Sequence, residues 1–148
     1  MDNEADRYPL EEFDPSEDYD DGTMPDNVKT LAAAVVGHRI IKTERRGVQH
    51  RHRGIVEFFV ITLDNGTEVQ LDNTDDCCAY TELQEFLLHP EMVQHVIMGV
   101  GTTESYNTWH IYADLGDVLE LTVGWSCGNP FYYGYGFSIN VVECRSND

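Results

Sequence analysis

The sequence predicts an α+β domain: a twisted, mainly antiparallel sheet of about six strands carrying two short helices. Three observations point there. Apolar and polar residues alternate through Asn107–Asp114, Leu119–Trp125 and Phe137–Val141, the two-residue period of half-buried strands. Gly54 to Leu63 (GIVEFFVITL) is an almost unbroken β-branched and aromatic run, which reads as a central strand covered on both faces. Two further segments carry helix-start signals. At 148 residues the chain has the length of one domain, and residues 27–148 suffice to bury a single core.

In chain order, Asn27 is placed to cap a helix over 28–36, with Val28, Leu31, Ala32, Val35 and Val36 on one face and Gly37 as its left-handed stop. A strand from His38 to Glu44 follows. After the Gly54–Leu63 run, Asp64-Asn65-Gly66 predicts a type I′ hairpin turn, and Thr67–Asp72 returns as the partner strand. Thr81-Glu82-Leu83-Gln84 matches a capping box and predicts a second helix through Leu88, which Pro90 ends or restarts. His95–Val100 is strand-like. Along Asn107–Asp114, Trp109, Ile111 and Ala113 share one face, and His110 and Tyr112 the other; Gly116-Asp117 turns the chain. Trp125 to Phe137 holds six aromatics and three glycines, Phe131, Tyr132, Tyr133 and Tyr135 among them, and reads as a long turn between closing strands.

Charge is distributed unevenly. The net charge is −18, and residues 1–26 carry eleven acids against the single base Arg7. That stretch is poor in apolar residues and rich in proline, so it is expected to be a disordered acidic tail. Tyr8, Leu10, Phe13, Tyr19 and Met24 are set among the acids, the pattern of a segment that anchors rings on a basic partner, as a mimic of nucleic-acid phosphates would. Between Arg39 and Arg53 lie six of the remaining eight bases. Arg45, Arg46, Arg51 and Arg53 are read as a hairpin tip that stays solvated, binds phosphate or an acidic surface, or receives the chain's own tail.

No catalytic signature is legible, and no catalytic residue or cofactor is assigned. Asp75-Asp76-Cys77-Cys78 lacks the Cys-x-x-Cys spacing of zinc sites and the alternating acids of a calcium loop. Cys77, Cys78 and Cys127 are therefore metal candidates only if the fold brings them together. A hydrolase reading needs Cys77 or Cys78, Asp75 or Asp76, and His110 to converge. His89 and His110 are read as hydrogen-bonded structural residues. No leader pattern or membrane-length apolar run is found, so a cytoplasmic protein with four reduced thiols is expected.

Asp75-Asp76-Cys77-Cys78-Ala79-Tyr80-Thr81, Gly99-Val100-Gly101-Thr102-Thr103, Thr108-Trp109-His110-Ile111-Tyr112-Ala113-Asp114 and the Trp125–Phe137 turn carry a resemblance. Over about residues 36–142 the chain resembles an uncharacterised domain family of small proteins from tailed phages that infect actinobacteria. The resemblance implies a small cytoplasmic phage product acting on a host or competing-phage process; it implies no activity and no site residues. The expected function is an interaction protein that binds and modulates a host protein with a basic surface, through the tail, the aromatic turn, or both. A small-ligand-binding module and the Cys–Asp–His hydrolase are the alternatives. Direct nucleic-acid binding ranks last, because so acidic a chain repels phosphate.

Overall fold

The computed structural model describes residues 23–52, 54–75, 80–104, 106–126 and 136–143. Tyr8, Phe13, Tyr19, Arg53, Asp76, Cys77, Cys78, Cys127, Phe131, Tyr132, Tyr133 and Tyr135 lie outside them. The elements are helix α1 (Thr23–Val35), strands β1 (Ile40–His50), β2 (Gly54–Leu63), β3 (Glu68–Asp72), β4 (Thr74–Asp75) and β5 (Tyr80–Leu88), a single 3-10 turn (Pro90–Met92), then β6 (Gly99–Thr103), β7 (Thr108–Ala113), β8 (Gly116–Ser126) and β9 (Ser138–Val142). The architecture is α+β, but the strands form two sheets rather than one. The first has the order β1-β2-β3-β9 and the second β4-β5-β8-β7-β6. Every pairing among the described residues is antiparallel.

The two sheets and the helix share a single core. Phe59, Ile61, Leu63, Val69 and Leu71 enter it from the first sheet, and Trp109, Ile111, Leu119, Leu121 and Val123 from the second. Met24, Val28, Leu31 and Val35 bring the helix into the same layer. Ring contacts tie the parts together: Phe59 of β2 lies 4.6 Å from Phe86 of β5, and Trp109 stands edge-on to Phe137 at 5.4 Å. The Gly54–Leu63 run is a sheet-central strand as expected. Val60 and Ile61, adjacent and pointing to opposite faces, are both fully buried.

Four local expectations are corrected. The helix starts at Thr23 instead of Val28, and Met24, read as part of the tail, is fully buried in the core. Asn27 is consequently inside the helix and caps nothing. Its amide instead pairs with the backbone of Phe137, Nδ2 donating to the carbonyl and Oδ1 accepting from the N–H, each at 2.9 Å. A side chain thus takes the place of a neighbouring strand at the entrance to β9, and Gly136 leaves room for it: a Cβ there would collide with the Asn27 side chain.

The second predicted helix, Thr81–Leu88, is strand β5. It pairs with β8 over nearly its whole length, with a register shift between Leu83 and Glu85. That bulge moves the inward-facing set from Thr81 and Leu83 to Phe86 and Leu88, a phase slip that imitates helical spacing in the sequence. Paired backbone along the whole strand outweighs a capping-box propensity worth about 1 kcal/mol. The β2–β3 hairpin is also different from the type I′ form. Gly66 has φ of +87° and Asn65 has no positive φ, while the Gly66 N–H donates to the Leu63 carbonyl at 2.9 Å. This is a three-residue loop, a type I turn closed by a glycine bulge, with the Asn65 side chain accepting from the Thr67 N–H. Finally, the strand expected at His95–Val100 is displaced to Gly99–Thr103. Gly37 does stop α1, at φ of +90°.

Removing the Asn27 amide leaves two partly buried backbone groups of Phe137 unpaired, at about 1–2 kcal/mol each. Asn27→Ala is therefore expected to lower the unfolding free energy by roughly 2–4 kcal/mol in urea denaturation, and Met24→Ala by a comparable ~2–5 kcal/mol. If Met24→Ala leaves the midpoint unchanged, the helix does not enter the core at Thr23.

Candidate functional site

Among the described residues, one group of three side chains of metal-ligating type lies on the outer face of the second sheet, and a bulge creates it. Ile111 of β7 faces Leu119 of β8, whereas the next residue, Tyr112, faces Asp117. Val118 is the extra residue. In a regular strand Asp117 and Glu120, three positions apart, would point to opposite faces. The bulge cancels one step of the alternation, so Val118 and Leu119 are both buried inside while both carboxylates turn outward.

His110 stands directly across from Glu120 on one side and from Gly101 on the other. Its Nδ1 lies 2.9 Å from Asp117 Oδ2, and its Nε2 lies 2.9 Å from the Thr103 hydroxyl at the end of β6. One ligand-type atom from each of His110, Asp117 and Glu120 falls within 4.8 Å of the others. His89, just after β5, reaches over β8 to put Nε2 2.7 Å from Glu120 Oε2. The side chains of His110 and Asp117 are 10 % and 13 % exposed, those of His89 and Glu120 26 % and 31 %. Asp117 Oδ1 is buried with no hydrogen-bond partner. Hydroxyl, imidazole and carboxylate therefore stand in a line, with a second imidazole–carboxylate pair beside them. Such a face can relay a proton or hold a cation.

The reading of His89 and His110 as hydrogen-bonded residues agrees with these contacts. His38 and His95 follow the same rule, at 3.1 Å from Asp64 and 3.0 Å from Asp114. The hydrolase cluster of Asp75, Asp76, Cys77 and Cys78 around His110 involves side chains outside the described residues, as do the metal candidates Cys77, Cys78 and Cys127. Thr103, Asp117 and Glu120 were not anticipated as partners of His110. Alternation places Glu120 and His110 on outer faces, but their juxtaposition depends on strand register, and Asp117 joins only through the bulge.

The basic stretch is for the most part strand β1 rather than a loop. Arg45 donates to the Gln84 carbonyl at 3.0 Å and sits 5.7 Å above the Phe86 ring. Arg46 donates to both oxygens of Glu68, at 2.8 and 2.9 Å, and to Glu44 at 2.9 Å. Glu44 also pairs with Lys42. Arg46 is opposite Phe58 and Glu68 opposite Thr62, so the ion pair runs diagonally over the buried Val60. The guanidinium crosses a whole strand and covers it. Arg51 is exposed in the turn after β1.

Hydrogen bonds from Arg46 hold the Glu44 and Glu68 carboxyls below the usual glutamate range, and those carboxylates in turn hold Arg46 charged. Burial pushes Asp72, on the same face, the other way. A carboxyl lowered on folding contributes stability that is complete above its unfolded value, about 4.3, and is lost as pH falls through the lowered folded value. Stability measured by urea denaturation should accordingly fall on acidification below about pH 4.3, and Arg46→Met should flatten that limb. An unchanged acid limb in Arg46→Met would show that the pairs contribute nothing.

On the outward face of β5, Tyr80 and Leu87 are 40 % and 55 % exposed, and Glu82 and Glu85 between them are exposed as well. No helix among the described residues is long and apolar enough to cross a membrane.

No curated protein and no solved structure matches this chain. Residues 33–139, from within α1 through both sheets to the start of β9, match a family model described as "Domain of unknown function (DUF7448)". The chain belongs to that family.

Proposed function

We propose that this protein acts by gripping a basic surface of another protein, using acidic side chains for attraction and a few apolar ones as anchors. The observation that carries the reading is the outward face of β5, where Tyr80, Glu82, Glu85 and Leu87 present acid and apolar groups side by side on a rigid strand. Charge of one sign steers a complementary partner, and the exposed aromatic and aliphatic groups supply burial on contact. The net charge of −18 and the eleven acids of residues 1–26, with Tyr8, Phe13 and Tyr19 among them, extend the same chemistry. Arg45 and Arg46 make their hydrogen bonds within the chain, which favours an acid-dominated outer surface and disfavours a nucleic-acid partner. The aromatic-rich stretch that holds Phe131, Tyr132, Tyr133 and Tyr135 is a second candidate anchor. In the phage setting that the sequence resembles, the partner is a host protein in the cytoplasm whose own ligand is an anion such as nucleic acid.

Affinity purification from an actinobacterial lysate tests this, with the full chain, a form lacking residues 1–22 that spares α1, and the double variant Tyr80→Ser/Leu87→Ser. A stoichiometric partner is expected, lost as salt rises and weakened about tenfold or more by the double variant. Absence of any stoichiometric partner, or a partner indifferent to both alterations, overturns the reading.

A further inference from the structure

We propose that His110, Asp117 and Glu120 form a binding site for one divalent cation of the zinc class on the outer face of the second sheet. One imidazole and two carboxylates are a donor set suited to zinc, and less to calcium, which takes oxygen ligands. The three ligand atoms already lie within 4.8 Å of one another. Around a four-coordinate zinc, neighbouring ligand atoms are roughly 3.3 Å apart, from metal–ligand distances of about 2.0–2.2 Å. Binding draws the three side chains together by that difference.

Two features of the surroundings point to a cation rather than to a hydrogen-bonded cluster complete in itself. Asp117 Oδ1 is buried and accepts no hydrogen bond. A buried carboxylate oxygen left without a donor is costly, and an ion held by both oxygens of Asp117 supplies what Oδ1 lacks. The second feature is the outer layer. Thr103 Oγ1 lies 2.9 Å from His110 Nε2, and a proton held there makes Nδ1, which faces Asp117, the nitrogen that coordinates. His89 Nε2 holds Glu120 at 2.7 Å in the same manner. Metal ligands are characteristically fixed from behind by such partners. The ion takes the place of the proton between His110 Nδ1 and Asp117. Where that proton was present and Nε2 already carries one, it leaves to solvent as the ion enters, so binding weakens on acidification.

The test is calorimetric titration of the full-length protein with zinc ion alone, after chelator treatment and in millimolar magnesium to occupy the acidic tail. It is run in parallel on a form with all four cysteines replaced by serine. One equivalent should bind in both. Glu120→Gln and Asp117→Asn, which keep the shape of the side chains, should each weaken binding more than about tenfold, and Thr103→Val about tenfold, with unchanged far-UV circular dichroism. Zinc binding that disappears with the cysteines, or that is the same in Glu120→Gln, Asp117→Asn and the parent, overturns the proposal. If a variant fails to fold, cobalt bound to the unaltered chain decides: a spectrum without thiolate charge-transfer bands supports the site, and one with them rejects it.

Discussion

One apolar layer holds the molecule together, and nearly every other feature follows from the need to complete it. Neither sheet is covered without the other, and the helix closes what the sheets leave open, with Met24, Leu31 and Val35 fully buried against them. Trp109 is central to this layer. It is fully buried, meets Phe137 edge-on, and donates its indole N–H to the Tyr106 carbonyl at 2.9 Å. Tyr106 holds a positive φ of 65° and is itself buried, edge-on to Trp125. A non-glycine residue in that conformation costs of order 1–3 kcal/mol, which burying two large rings offsets.

The chain must change sheets to build that layer, and polar side chains secure the crossings. At the passage from β3 to β4, Asn73 accepts from the Leu83 N–H at 2.9 Å and Thr74 donates to the Gly136 carbonyl at 2.9 Å. On the return into β9, Asn27 pairs with the Phe137 backbone. Crossings interrupt the regular ladder, so backbone groups there need partners from elsewhere. Short polar side chains provide them at these points.

Outside the core, the two sheets turn different chemistry to their surroundings. The first carries the Lys42–Glu44–Arg46–Glu68 network, in which opposite charges bind one another and shield Val60. The second carries the imidazole–carboxylate cluster around His110 together with the exposed acids of β5. Charge is paired with opposite charge on the first sheet and set beside imidazole on the second. Leu87 of β5 pairs with Glu120 of β8, and Glu120 pairs with His110 of β7, so the exposed face of β5 and the imidazole–carboxylate cluster adjoin on one sheet.

The α+β class, the Gly54–Leu63 strand, the alternation in β7 and β8 and the Gly37 stop were all legible in the sequence, because each depends on local periodicity or on one residue's backbone freedom. The start of the helix was hidden by Asp26 and Pro25, which give its first turn the look of the acidic tail; the burial of Met24 is a tertiary fact. Strand β5 was hidden by a bulge that shifts its apolar phase into a helical one. The candidate site was the least legible part. Thr103, His110 and Asp117 occur at seven-residue intervals, and no sequence spacing tells which strands pair or where Val118 slips out of register. Sequence alone determined which residues prefer burial and which prefer water. Only tertiary pairing decided that two carboxylates and an imidazole share one face, since a single displaced residue in a strand reverses the direction of every side chain beyond it.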